Sequence, residues 1–289
     1  MNVLITGGAG YIGSELVGYL IDNHNVTVLD NLMYDYTSLL RYAQNDRFNF
    51  VKGDVRNTKL LYRLMNKNDI ILPLAALVGF PLCDDHPRDA QEINYGVNRY
   101  IAEHKSADQM VIYPCTNSGY GVSKDGSVCT ELSPLNPVSL YGKTKVMAER
   151  AYQEADNCVT FRLATVFGPS SRMRSDLLVN NFVLRALKDR LLVLYECEFM
   201  RNYVHIADVC RAFKFTLENW ESCKNETYNV GNDALNMNKL QLAQKIQKYL
   251  PLEVIKAEFT TDPDVRDYIV SSEKFYSKDF KCEYDLDEG

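Results

Sequence analysis

The sequence predicts an α/β fold, a doubly wound parallel sheet followed by a smaller mixed α/β C-terminal region. Three observations predict it. Short apolar runs alternate with helical patterns from the first residues onward. A glycine cluster separates the first run from the first helix. After Phe167, Gly168 and Pro169 the alternation loosens.

Taken in order, Asn2 to Thr6 reads as a buried strand, and Gly7, Gly8, Gly10 and Gly13 form a turn. Ser14 to Asp22 reads as a helix with Leu16, Leu20 and Ile21 inward, and Val26 to Leu29 as a second strand ending at Asp30. Strand, glycine turn, helix and strand make one right-handed βαβ unit. Phe48 to Lys52 is the third strand, Lys59 to Met65 a helix and Ile70 to Leu74 the fourth strand. One long helix is expected from Arg88 to Ser106, then a strand from Met110 to Cys115. A second long helix is expected from Leu140 to about Glu154, then a strand from Cys158 to Leu163. Beyond it, Asp176 to Lys188 looks helical, and Val204 opens an apolar stretch into a helix over Ala207 to Asn219. Tyr228 to Val230 is a short strand. Asn238 to Leu250 is an amphipathic helix stopped by Pro251. Tyr284 to Gly289 reads as the first turn of a further helix. Residues 1–166 are the expected nucleotide-binding domain and 167–289 the substrate region, with segments near 203–231 packing back on the first domain.

Composition narrows the function. The chain has 289 residues, 46% of them hydrophobic, enough for a large core, and 24% charged, typical of an ordered globular protein. A net charge of −6 argues against nucleic acid, whose partners neutralise phosphates with excess basic residues. The eight cysteines are scattered with no CxxC and no zinc-ligand spacing, so reduced thiols are expected and no metal site. No apolar run is long enough for a membrane span, and residues 1–20 lack a signal-peptide pattern, so the cytoplasm is the expected compartment.

Gly7, Gly10 and Gly13 have GxxGxxG spacing between a strand and a helix. Glycines there allow a tight turn and close backbone approach to a pyrophosphate, which the helix N-terminus attracts with free N–H groups. This marks a Rossmann dinucleotide fold. Asp30 ends the second strand, 17 residues after Gly13, where a carboxylate accepts from both adenosine ribose hydroxyls and repels a 2′-phosphate, favouring NAD over NADP. Asp54, with Val55 beside it, is placed to meet the adenine. Leu74, Ala75 and Ala76 end the fourth strand with small side chains that suit close cofactor approach.

Tyr141 and Lys145 form YxxxK on a helix, where positions i and i+4 share a face. An ammonium beside a phenol lowers the phenol's pKa, so Tyr141 becomes usable as a general base near neutral pH. Thr116 ends the fifth strand, where its hydroxyl can hold the oxygen that Tyr141 deprotonates.

With these residues in order, the sequence resembles the extended short-chain dehydrogenase/reductase family, and within it the nucleotide-sugar epimerases and dehydratases. The carrying motifs are TGGAGYIG at 6–13, LDNL at 29–32, GDVRN at 53–57, LAA at 74–76, YGKTK at 141–145, RLATVFGP at 162–169, RNYVHIADV at 201–209 and YNVGN at 228–232. The resemblance implies that the glycines, Tyr11, Ile12, Asp30, Asn31, Asp54, Val55, Leu74, Ala75, Ala76, Asn94 and Ala164 contact NAD. It implies that Thr116, Tyr141 and Lys145 are the catalytic triad, with Tyr141 and Lys145 also on the cofactor, Lys145 through the nicotinamide ribose. It implies that Arg201 and Arg266 grip the diphosphate of a nucleotide-sugar substrate, that Asn117, Ser118 and Thr165 lie on the sugar side, and that two long helices near 88–106 and 140–154 form a homodimer.

The chain departs from the family pattern at Pro73, where relatives often carry His, and at Thr165, where they often carry Asn. His205 falls in the family's RNYVHIADV strand and is expected to be structural. Similar dehydratases carry Asp-Glu after the threonine, where this chain has Asn117 and Ser118, neither able to act as a carboxyl acid. Epimerases that invert carbons beside a ketone carry Cys at the position of Ser118. Members that invert C4 need only a small or hydroxyl residue there, which fits Ser118. The expected function is therefore an NAD-dependent nucleotide-sugar epimerase acting at C4. A reductase or dehydrogenase with net redox change, a C2 epimerase of a CDP-sugar and a non-catalytic NAD-binding scaffold remain the alternatives.

Overall fold

A computed structural model describes residues 1–34, 37–123, 126–257 and 266–289. The first half winds as β1 (Asn2–Thr6), α1 (Tyr11–Leu20), β2 (Asn25–Asp30), β3 (Phe48–Lys52), α2 (Thr58–Met65) and β4 (Ile70–Pro73), then α3 (Phe80–Asp85), α4 (Pro87–Ala90) and α5 (Asn98–His104). It continues through β5 (Met110–Thr116), the short β6 (Val128–Cys129), α6 (Leu140–Gln153) and β7 (Cys158–Leu163). The remainder comprises β8 (Thr165–Phe167), α7 (Leu178–Lys188), β9 (Leu191–Tyr195), β10 (Met200–His205), α8 (Ile206–Glu218), α9 (Trp220–Cys223), β11 (Glu226–Val230), β12 (Asn232–Asn238), α10 (Lys239–Gln247), β13 (Glu253–Ala257), β14 (Ile269–Val270) and α11 (Glu273–Tyr276).

The central sheet has seven parallel strands in the order β11-β7-β5-β4-β1-β2-β3. Its inner strands β1, β4 and β5 are apolar on both faces because both faces are covered, whereas the edge strand β3 is largely exposed. Along β1, Val3 and Ile5 face the core made with Leu16, Val17 and Leu20 of α1 and Phe213 of α8, while Leu4 faces Leu61 of α2, Ile101 of α5 and Tyr152 of α6. Each such side chain, fully buried, contributes about 1.5–3 kcal/mol. Strand order reverses between β1 and β4, and the carboxyl ends of those strands open the crevice where this fold takes its ligand.

Two segments differ from the sequence expectation in an instructive way. The long helix expected over 88–106 is broken into α4, a π-helical stretch Gln91–Val97 and α5. The wider turns leave Asn94 and Asn98 buried, and Asn94 is held by the backbone of Leu77 at 2.8 and 2.9 Å. Residues 286–288 form a turn rather than the start of a helix, and Leu286 packs on the third core.

The C-terminal residues do not form one separate layer. β11 extends the main sheet beside β7, and α8 packs on α1. β12, β10 and β8 form a three-stranded sheet, and β9 pairs with β13. These strands and helices α7 and α10 enclose a core around Phe182, Leu192, Tyr203 and Leu242. α10 begins with a reciprocal cap in which Asn238 and Gln241 satisfy each other's backbone N–H groups. No described helix is long and apolar enough to cross a membrane.

Candidate active site

The glycine loop lies across the carboxyl ends of β1 and β4. Gly7 has φ +70°, and a Cβ there would sit 2.6 Å from both the Cα and N of Ala75. A Cβ at Gly13 would sit 2.6 Å from the Cα of Gly8. The loop therefore packs backbone to backbone, and α1 begins on Gly10 with no side chain capping its first turn. Those uncapped N–H groups, over a surface kept flat by glycine, fit the pyrophosphate of a dinucleotide. Leu74, Ala75 and Ala76 are half-buried along the facing edge.

Asp30 ends β2 with its carboxylate already oriented, Oδ2 accepting from Ala9 N at 3.0 Å and Oδ1 from Leu32 N at 2.8 Å. Asn31 accepts from Met33 N at 2.9 Å. Asp54 lies beyond β3, gripped by the Arg56 guanidinium at 3.0 and 2.8 Å, and that contact holds its carboxyl below the usual range. Val55 beside it is buried. The side chains of four expected cofactor residues are engaged within the protein. Asn94 is buried against the Leu77 backbone, its amide spent there and, at 3.4 Å, on Thr144 of α6. The Tyr11 hydroxyl points away, donating to Gly168 O at 2.7 Å. Ala164 is buried, its methyl carbon against Gly231. Ile12 is half-buried against the core of α1 and α8.

The candidate reaction centre lies where β5 ends and α6 starts. Ser139 caps α6 by accepting from Gly142 N at 3.2 Å, which sets Tyr141 in the first turn and Lys145 one turn on. Lys145 is 4% exposed, its ammonium 4.2 Å above the ring of Tyr113. Burial lowers Lys145 to about 8, opposed by Cys115, Cys83 and Glu149. Burial also pushes the half-buried Tyr141 hydroxyl above its ordinary value, and the charges that pull it back are Arg174 and Arg266. The expected depression of Tyr141 by Lys145 is thus not what the protein alone produces, because desolvation penalises the phenolate and the ammonium together. Burial likewise raises the flanking thiols, Cys83 to about 11 and Cys115 further, which keeps them protonated.

Thr116 ends β5 and faces Ser118 across a single turn, with 3.1 Å from Thr116 Oγ1 to both the Ser118 hydroxyl and its N–H. Arg266 donates to the same Ser118 hydroxyl at 2.6 Å. Asn117 is 1% exposed with both amide atoms unpartnered. Among the described residues, no Asp, Glu or His is hydrogen-bonded to Thr116, Asn117, Ser118 or the Tyr141 side chain. Thr165 is half-buried at the start of β8. Arg201 is 3% exposed on β10, under the ring of Tyr268 at 5.9 Å, and donates to Met200 O. The two arginines expected to act alike are therefore in different settings, one at the Thr116 turn and one packed in the sheet. His205 caps α8, accepting from Ala207 N at 3.3 Å, and stacks on Tyr284, a structural role.

Sequence reading missed Arg174. It lies on the 169–176 loop, paired with Asp176, and reaches the field of Tyr141 only because that loop is fastened to α1. Ser170 donates to Tyr11 O at 2.8 Å and Ser171 N to Glu15 at 2.7 Å. No local pattern marks such a residue.

Residues 3–231 match the profile of the NAD dependent epimerase/dehydratase family. The low-salt glycan biosynthesis protein Agl12 of Haloferax volcanii is 29% identical, over all of this chain and 96% of its own length. UDP-glucose 4-epimerase of Lactobacillus helveticus is 26% identical, over 88% of this chain and 83% of its own length. Among solved structures, the dTDP-glucose 4,6-dehydratase DesIV of Streptomyces venezuelae, determined with NAD bound, superposes with a TM-score of 0.87 at 25% identity, over all of this chain and 94% of that one. With a seven-stranded doubly wound sheet, a glycine cradle, a Tyr–Lys pair on α6 and a profile match over most of its length, this chain belongs to the NAD dependent epimerase/dehydratase family.

Proposed function

We propose that the protein is an NAD-dependent nucleotide-sugar epimerase that inverts C4 of a hexose. One observation carries this reading: Tyr141 and Thr116 sit with hydroxyl and guanidinium neighbours and, among the described residues, with no hydrogen-bonded carboxyl or imidazole acid. Dehydration needs a second acid/base group to eliminate water. Inversion at C4 needs only one, used in both directions.

The backbone at Gly7, Gly10, Gly13, Tyr11 and Ile12, with Asp30, Asn31, Asp54, Val55 and Leu74 to Ala76, would hold NAD, which when bound would supply reversible oxidation of the sugar carbinol. Thr116 orients the C4 hydroxyl. Tyr141 takes its proton as the carbon is oxidised and returns it to the same oxygen after the keto sugar has turned its other face. Lys145 would hold the nicotinamide ribose and keeps positive charge near the phenolate. Residues 1–166 carry the cofactor and 167–289 most of the substrate contacts. Ser118, Asn117 and Thr165 lie on the sugar side, and Arg201 and Arg266 grip the nucleotide diphosphate. The cytoplasm is the proposed compartment, in keeping with eight free cysteines, and a homodimer through the helical segment near 88–106 and α6 is the proposed assembly.

Incubation with nucleoside diphosphate hexoses, followed by proton NMR and mass spectrometry, tests the reading. The expected product is an isomer of unchanged mass with no stoichiometric use of NAD(P)H. Loss of one water would establish a dehydratase instead, and stoichiometric NAD(P)H consumption a reductase.

A further inference from the structure

Behind the reaction centre, three buried side chains join α6 to the turn that follows Thr116. Tyr141, Lys145 and Glu149 recur every fourth residue on α6, so Glu149 sits one turn beyond the ammonium on the same face. Glu149 is fully buried, and Arg162 of β7 meets its carboxylate with Nη2 at 2.7 Å and Nε at 3.0 and 3.2 Å. The other arm of Arg162, Nη1, donates to the Tyr120 hydroxyl at 3.0 Å and to Glu131 O at 3.1 Å. Tyr120 in turn donates to Asn229 Oδ1 on β11 at 2.6 Å. Tyr120 is 2% exposed and closes the single turn Asn117–Tyr120, which carries Ser118 and follows directly on Thr116.

Stability alone does not account for this arrangement. Burying an ion pair costs desolvation that the attraction at best roughly repays, and apolar side chains of similar size commonly serve as well or better. What apolar residues cannot supply is direction. A guanidinium is a rigid planar fork, and here one edge is fixed on a helix and the other on a turn. We propose that Glu149, Arg162 and Tyr120 form a positioning clamp that sets the Thr116–Ser118 turn against the Tyr141–Lys145 face of α6. The clamp touches no reacting atom. It rests on the reading that Thr116, Tyr141 and Lys145 are the reaction centre.

Two variants test it in the full-length protein with NAD. Tyr120→Phe cuts the link to the turn and leaves the ion pair. The double variant E149L/R162M replaces the pair with apolar side chains of similar size. In both, kcat should fall on the order of tenfold to a hundredfold, the effect of a small misplacement of reacting groups, while substrate KM and NAD affinity stay at wild-type values. The double variant should keep or raise its thermal midpoint, which separates positioning from stability. In Tyr120→Phe, the amides of Ser118 and Gly121, which bond Thr116 Oγ1 and Ser118 O, should exchange faster with solvent, while those of α6 keep their protection. Wild-type kcat together with unchanged amide protection in Tyr120→Phe would overturn the clamp, and if the double variant does not fold, Tyr120→Phe decides alone. A wild-type protein that does not invert sugars would sink the proposed function instead, and the exchange measurement would still decide the clamp.

Discussion

The dinucleotide cradle and the reaction centre share the carboxyl edge of one sheet and are built from different materials. At the cradle the critical surface is backbone: Gly7 lies against Ala75 and Gly13 against Gly8, with the uncapped first turn of α1 beside them. At the reaction centre it is side chain, with Tyr141, Lys145 and Thr116 set among buried thiols, rings and arginines. A site made of backbone is shaped by sterics and is indifferent to pH. A site made of buried ionisable groups is shaped by desolvation, and its protonation states are part of its design.

The largest break in this contrast is expected from Tyr141→Phe. Losing the proposed general base should lower turnover by roughly 10²–10⁴-fold, while calorimetry finds NAD binding intact. Equal losses of turnover and NAD affinity would mean that the two regions are not separable. Gly7→Ala should do the reverse. Its positive φ and a Cβ at 2.6 Å from backbone add about 4 kcal/mol of strain and overpacking, seen as a lower thermal midpoint and weak NAD binding at every pH tested.

Lys145 sharpens the electrostatic side. Its folded pKa, about 8, lies below its ordinary 10.5, so the unfolded chain binds more protons between those values. Stability of the ligand-free protein should therefore rise with pH across that window, and the desolvation cost is complete below it. Lys145→Met should raise the thermal midpoint at pH 7, by up to about 3 kcal/mol in stability, while abolishing activity. The gain should shrink from about pH 8 upward and be nearly gone by pH 10.5. A midpoint gain equal at pH 7 and pH 10.5 would contradict the assignment. The smallest effect is expected from Tyr11→Phe, which removes the hydroxyl bond to Gly168 O. It should cost about 1 kcal/mol and leave NAD affinity close to wild type, since the Tyr11 hydroxyl is already spent on Gly168 O. A large loss of affinity would show that the tyrosine side chain does reach the cofactor.

The parts legible in sequence are those whose physics is local. β3 and β7 run over the residues their apolar patterns mark, and α6 begins at Leu140, where its Ser139 cap sits. GxxGxxG is readable because only glycine permits the Gly7 turn, and YxxxK because one helical turn puts both groups on one face. The missed strands β8, β9, β12 and β13 pair with partners far along the chain, and their short or mixed patterns carry no signal until those partners are placed. The break near Asn94 escaped for a similar reason. Its periodicity is helical throughout, and the wider turns go with bonds to the distant Leu77 backbone.

The sequence by itself determined the fold class, the cradle, the Tyr–Lys pair and the absence of an Asp-Glu dipeptide after Thr116, because each depends on residues within a turn or a βα unit of one another. Only the tertiary structure decided that Arg266 and Arg174 reach the Tyr141 site, that Asn94 is tied to the Leu77 backbone, and that Glu149, Arg162 and Tyr120 meet at all. Those contacts join residues up to 148 positions apart. Burial and charge pairing at such separations follow from packing whole elements together, which no local pattern encodes.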